Sequence, residues 1–270
     1  MALVTMERRG GAAIITYANP PRGTMTAAGA LEMFAATQGA IDDPAVRCIV
    51  FTGGMPDIFI RHYDVGELTD LGEALAKGPP RPAAPTPPAD GRPAPGFLGL
   101  TDLVAGCDKP AIAAINGLCM GGGFELTLAC DLRIAARTAP SIGLPETRVG
   151  IFPGGGGTQR LPRVIGEAKA LEMILRGLVL SAEEALKWGI VHEVADDPLA
   201  RALEIAAEFE ARPAEGLAYA KRLTRAALDR PLSEGLLDER RRFVEVVRLP
   251  SAVGAMKAAL ATGPIEQQGR

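Results

Sequence analysis

Residues 110–133 read PAIAAINGLCMGGGFELTLACDLR, and this stretch decides the fold. From Pro110 to Cys130 there are 21 residues and one charge, Glu125. Hydropathy alone would allow a membrane-spanning helix. But Gly117 and Gly121-Gly122-Gly123 interrupt the run, and Asp131 and Arg133 follow at once. The better reading is a buried strand over 111–115, a turn at Asn116-Gly117 and a buried helix beginning near Gly122. Residues 132–136 read as the next strand. Glu125 is costly to bury ionised, so it either reaches the surface or is kept for a purpose. The first turn of a helix carries unpaired N–H groups and partial positive charge. One short helix could therefore offer an N–H donor at Gly122 and a carboxylate at Glu125 to one cavity. A glycine turn with an exposed Glu is the alternative.

Upstream, residues 2–8 and 12–17 form β-type runs around Gly10-Gly11 and predict a hairpin. Thr26 caps a predicted helix with Leu31, Phe34, Gln38 and Ile41 on one face, stopped by Asp42-Asp43-Pro44. Residues 46–52 predict a buried strand. Residues 78–96 hold eight prolines and exclude a regular element. They read as a flexible insertion, either a surface loop or a specificity loop.

Downstream, Gly150 to Gly157 is a glycine-rich loop that opens a helix from Thr158. Ser181 and Glu184 make a capping box. From Pro198 the chain is helical, with breaks at Pro213, Pro231 and near Pro250. Strands and helices alternate first and helices finish the chain, which predicts an α/β core over 1–197 and a helical region over 198–270. Apolar positions Leu199, Leu203, Ala206 and Phe209, and further on Leu236, Leu237, Phe243 and Val247, suggest helix faces that pack between subunits.

The 270 residues carry 29 Lys plus Arg against 32 Asp plus Glu, a net charge of −3. That argues against nucleic acid as a partner, because phosphate binding needs clustered positive charge. Cys48, Cys107, Cys119 and Cys130 lie in apolar segments without metal or redox spacing. They read as buried thiols in a reducing cytoplasm. The first 17 residues, with Glu7, Arg8 and Arg9 in their middle, do not read as a signal peptide. No GxGxxG, P-loop, GxSxG or HExxH pattern is present. His62 and His192 form no metal pair, and His192 reads as structural. No metal site and no redox cofactor are expected.

Glu146 follows the short extended run Ser141–Pro145 and sits on a loop, where reactive residues are common. Taken alone it could equally be an exposed turn residue. Two carboxylates sharing one cavity cannot easily both ionise, so one would serve as acid and the other as base.

Residues 111–133, 144–163 (LPETRVGIFPGGGGTQRLPR) and 181–191 together resemble the enoyl-CoA hydratase/isomerase family, the crotonase superfamily. The resemblance implies a crotonase-like spiral of ββα repeats with a C-terminal α-helical trimerisation region, giving a homotrimer or a hexamer of two trimers. It implies an acyl-CoA thioester substrate, with CoA part of that substrate. By motif position it implies that Tyr63 and Gly122 supply the two backbone N–H groups of an oxyanion hole. Around them Asp64, Val65, Gly66 and Gly121 would bind substrate. His62-Tyr63 stands where the family has small residues. Glu125 and Glu146 fall on the two catalytic glutamates of true hydratases. Hydration of an enoyl-CoA is the expected activity. Double-bond isomerisation, other enolate chemistry or a non-catalytic thioester-binding role are the alternatives.

Overall fold

A computed structural model describes residues 2–78 and 93–262. Most of the 78–96 insertion therefore lies outside the described residues. The chain opens with the expected hairpin, β1 (Val4–Arg9) and β2 (Ala12–Tyr17), paired antiparallel. Helix α1 (Ala27–Asp42) follows, with the Thr26 side chain accepting from Gly29 N. Next come β3 (Cys48–Gly53), β4 (Ile58–Ile60), α2 (Val65–Lys77) and α3 (Phe97–Gly106). The deciding stretch folds as β5 (Ala111–Ile115), β6 (Leu118–Met120) and α4 (Gly122–Ala129), and β7 (Leu132–Ala136) begins the next turn. After β8 (Ile142–Gly143) and a 3-10 turn (Glu146–Val149) come α5 (Gly157–Ile165), α6 (Glu167–Arg176), β9 (Val179–Leu180), α7 (Ala182–Trp188) and β10 (Glu193–Ala195). Four helices finish the described residues: α8 (Pro198–Glu210), α9 (Ala214–Ala226), α10 (Leu232–Val247) and α11 (Pro250–Thr262). The Ser181–Glu184 capping box is formed at the start of α7. Among the described residues no helix is long and apolar enough to cross a membrane.

The repeat is a strand in one sheet, a strand in a second sheet, then helix. The first sheet runs β1-β2-β3-β5-β7-β10, parallel from β2 onward. The second runs β4-β6-β8-β9, with β4, β6 and β8 parallel. The successive pairs β3-β4, β5-β6 and β7-β8 stack one turn of chain on the next. This is the spiral that the family resemblance implies.

Strand alternation divides the core in two. Ile15, Ile49, Phe51, Ala113 and Ile115 face the helices of the spiral. Ile14, Val50, Ile112 and Ile134 face the other way and are covered by Ala202, Ile205 and Ala206 of α8. This corrects one expectation: Leu199, Leu203, Ala206 and Phe209 pack on the sheet of their own chain rather than between subunits. A parallel sheet must be covered on both faces, and α8 is the cover. A second correction concerns α1. Its buried positions are Gly29, Ala30, Met33, Thr37 and Ala40, while Phe34 and Ile41 of the expected face pack half-buried against the core and Leu31 faces solvent. The small side chains let the helix approach closely, so the face is offset by one residue from the one drawn through the larger residues.

Three cations, Arg133, Lys221 and Arg225, fix the end of α4. Arg133 donates to the carbonyls of Thr127 (3.1 Å), Cys130 (3.0 Å) and Ile190 (2.8 Å). Such donation satisfies carbonyls that the helix C-terminus leaves free. Lys221 and Arg225 of α9 each reach Asp131 at 2.9 Å. His192 is structural, as expected: its Nδ1 accepts from Arg133 N at 3.2 Å, and burial holds its pKa down. The four cysteines are free and buried.

Candidate active site

The site forms where β4 and β6 end side by side. Past β4 the chain continues extended as far as Asp64. There Met25 N donates to His62 O (2.8 Å) and Asp64 N donates to Met25 O (2.7 Å). In a parallel bridge of this kind the intervening residue turns its own N–H to the opposite side. Arg61 O accepts from Met120 N (3.1 Å), so that opposite side is the side of β6. Tyr63 N–H thus faces the segment that follows Met120.

That segment is Gly121-Gly122-Gly123. Gly121 has φ +51°, which ends the strand and starts α4, and Gly123 lies so close to Ile60 that a Cβ would sit 2.3 Å from its carbonyl oxygen. At Gly122 a Cβ would come within 3.3 Å of Tyr63 Cβ. Gly122 N and Tyr63 N therefore belong to neighbouring backbones, and neither has a hydrogen-bond acceptor among the described residues.

One turn into α4, Glu125 is 3% exposed. Its Oε1 accepts from Gly155 N at 2.7 Å and Gly157 N at 2.8 Å. Burial raises its pKa, and those two N–H bonds and the Arg160 guanidinium act against the rise. Arg160 also donates to Gly155 O (3.0 Å) and to Asp102 on α3 (2.9 Å), holding the loop that grips Glu125.

Glu146 opens the 3-10 turn opposite. Its Oε2 is buried without a hydrogen-bond partner, and its Oε1 lies 3.2 Å from where a Cβ on Gly121 would be. Burial, with a smaller contribution from the Glu125 charge, pushes its pKa up to about 7. The two carboxylates therefore differ in kind. Glu125 has partners that favour its ionised form, and Glu146 has an environment that favours its proton.

Tyr63, Val65, Gly121, Gly122, Glu125 and Glu146 line one cavity of about 650 Å³. Asp64 and Gly66 instead line a neighbouring cavity of about 430 Å³ with Arg22 and Arg61, and the two cavities share His62 and Val65. The Asp64 carboxylate caps α2 by accepting from Glu67 N (3.2 Å) and Thr24 Oγ1 (3.0 Å), which holds its pKa down. The Tyr63 phenol packs edge-on against Phe97 at 5.6 Å, and burial raises its pKa to about 12.

Sequence reasoning missed Gly155, Gly157, Arg160 and Phe97. A signal for the glycines was present: a carboxylate in an apolar run needs donors, and a glycine-rich loop is a source of free N–H groups.

Residues 7–252 match the enoyl-CoA hydratase/isomerase family. The chain belongs to that family. It is 37% identical over 232 residues to a carnitinyl-CoA dehydratase of Salmonella typhi, covering 85% of this chain and 83% of the relative. Among solved structures, Pseudomonas aeruginosa DspI superposes with a TM-score of 0.83 at 30% identity, covering 97% and 95% of the two chains. An enoyl-CoA hydratase of Bacillus anthracis gives 0.83 at 27% identity, covering 96% of each.

Proposed function

We propose that this family member adds water across the 2,3 double bond of an enoyl-CoA thioester. The reading is carried by one observation: two buried glutamates, Glu125 gripped by two backbone N–H donors and Glu146 with an oxygen left without a partner, beside two backbone N–H groups without acceptors among the described residues. The thioester oxygen accepts from Tyr63 N–H and Gly122 N–H, which stabilise the negative charge that develops on it. Glu125, whose ionised form Gly155 N–H, Gly157 N–H and Arg160 support against burial, removes a proton from water as its oxygen bonds to the β-carbon. Glu146, holding its proton, delivers it to the α-carbon. The products are the 3-hydroxyacyl thioester, protonated Glu125 and ionised Glu146, and proton exchange between the carboxylates restores the start. No step asks for a metal or redox group, and CoA enters with the substrate. Arg22 and Arg61 offer positive charge to CoA phosphates in the adjoining cavity.

Leu232, Leu236, Leu237, Phe243 and Val244 form an exposed apolar face on α10. With α8 committed to its own sheet, this face is our candidate for contacts in a trimer or a hexamer of two trimers.

The test is to incubate the protein with a 2-enoyl-CoA and weigh the product. Hydration adds the mass of one water. Isomerisation leaves the mass unchanged while the double bond moves, and that outcome would replace the hydratase reading with the second chemistry.

A further inference from the structure

The wall of the cavity beyond the glutamates has its own chemistry. Leu68 and Leu71 of α2, Leu98 of α3, and Ile151 and Phe152 after Glu146 all line it. Several are openly apolar toward solvent: Leu71 is 49% exposed, Leu98 57% and Phe152 69%. Large apolar side chains left exposed together around a reactive centre mark a surface meant to be covered by a ligand. They line the same cavity as Glu125 and Glu146, so the wall belongs to the site and is no separate patch. Arg148 is the one lysine, arginine or acidic side chain on the described lining besides the two glutamates.

We infer that the acyl group is a neutral apolar chain extending past the reacting carbons along this wall, in preference to a short acyl group or one carrying a quaternary ammonium. A chain of methylenes covers the leucines and Phe152 and gains with each group buried. A cationic acyl end would find Arg148, which repels it. Among the described lining residues its only counter-ions would be Glu125 and Glu146, which the reaction requires. On this point the chain would part from the relative named a carnitinyl-CoA dehydratase. The inference deepens the hydratase reading, yet it concerns binding and can be tested apart from turnover.

The experiment has two arms. Titration with saturated butanoyl-, octanoyl- and dodecanoyl-CoA, and with a 4-trimethylammonio-butanoyl thioester, reads the wall without chemistry. Burial of a methylene is worth about fourfold in affinity, so octanoyl-CoA should bind on the order of 10²-fold tighter than butanoyl-CoA. The cationic thioester should bind no better than butanoyl-CoA. Leu71→Lys, on an exposed helix face, should reduce the octanoyl-to-butanoyl ratio at least severalfold. A flat or falling series, a cationic thioester that binds best, or a ratio unmoved by Leu71→Lys would overturn the inference. The second arm follows hydration of the matching 2-enoyl thioesters. If nothing is hydrated while the binding series rises, the hydratase reading fails and the acyl inference stands.

Discussion

Replacing Glu125 separates its chemical role from its structural one. In Glu125→Gln the amide oxygen can take the place of Oε1 and accept from Gly155 N and Gly157 N, now at 2.7 and 2.8 Å. The buried charge is lost and the proton acceptor with it. Stability should hold or rise, because a carboxylate with a raised pKa is a cost to the ionised fold. The rate should fall by about 10²–10⁴-fold, the usual value of a positioned acid or base. In Glu125→Ala both loop N–H groups lose their acceptor in a buried setting. An unsatisfied buried donor costs about 1–3 kcal/mol, so the pair costs roughly 2–6 kcal/mol, offset in part by removal of the buried charge. A residual 2 kcal/mol lowers Tm by roughly 4–8 °C in a chain of this size. Thermal melts by circular dichroism and the fall in conjugated enoyl absorbance measure the two effects. Two results would refute the reasoning: a Gln variant as unstable as the Ala variant, or a Gln variant that turns over normally.

Other outcomes follow from the same geometry. Glu146→Gln should stabilise the fold at pH 8 and leave it nearly unchanged at pH 4. The native carboxyl titrates near 7 against 4.5 in the unfolded chain, so ionisation costs stability as pH rises through that window; a Tm difference independent of pH would contradict this. Arg160→Met should loosen the Gly155–Gly157 grip and remove a positive charge near Glu125, raising the pKa of the acidic limb of the rate profile, with partial rescue by lysine; an unchanged profile would leave Arg160 a purely structural residue. Tyr63→Ala should keep catalysis, because only the backbone donor is needed. Tyr63→Pro removes that donor and should cost about 10²–10³-fold in rate, provided a melt shows it folds. A folded Tyr63→Ala protein inactive on every substrate would instead assign the phenol a role.

The fold was legible wherever apolar runs meet glycine turns. Residues 110–133 showed strand, turn and helix because their composition leaves no polar alternative. Glu125 stood out because it is a lone charge in that run, and the motif around Glu146 supplied its partner. The donors to Glu125 were hidden. They are backbone groups 30 and 32 residues away, and backbone N–H carries no side-chain signal. The faces of α1 and α8 misled for a related reason. A sequence shows which helix positions are apolar, but which of them face the core depends on how closely the helix approaches. In α1 the small residues set that distance, and in α8 the uncovered face of the sheet claimed the apolar stripe.

The division of labour between the two glutamates is tested most directly by the pH dependence of kcat/KM for a 2-enoyl-CoA. Glu146 must hold its proton to act as the acid, and its pKa lies near 7. The account predicts a rate that declines above about pH 7, with that limb absent from the residual activity of Glu146→Gln. A rate that instead climbs through pH 7, as ionised Glu146 accumulates, would contradict it.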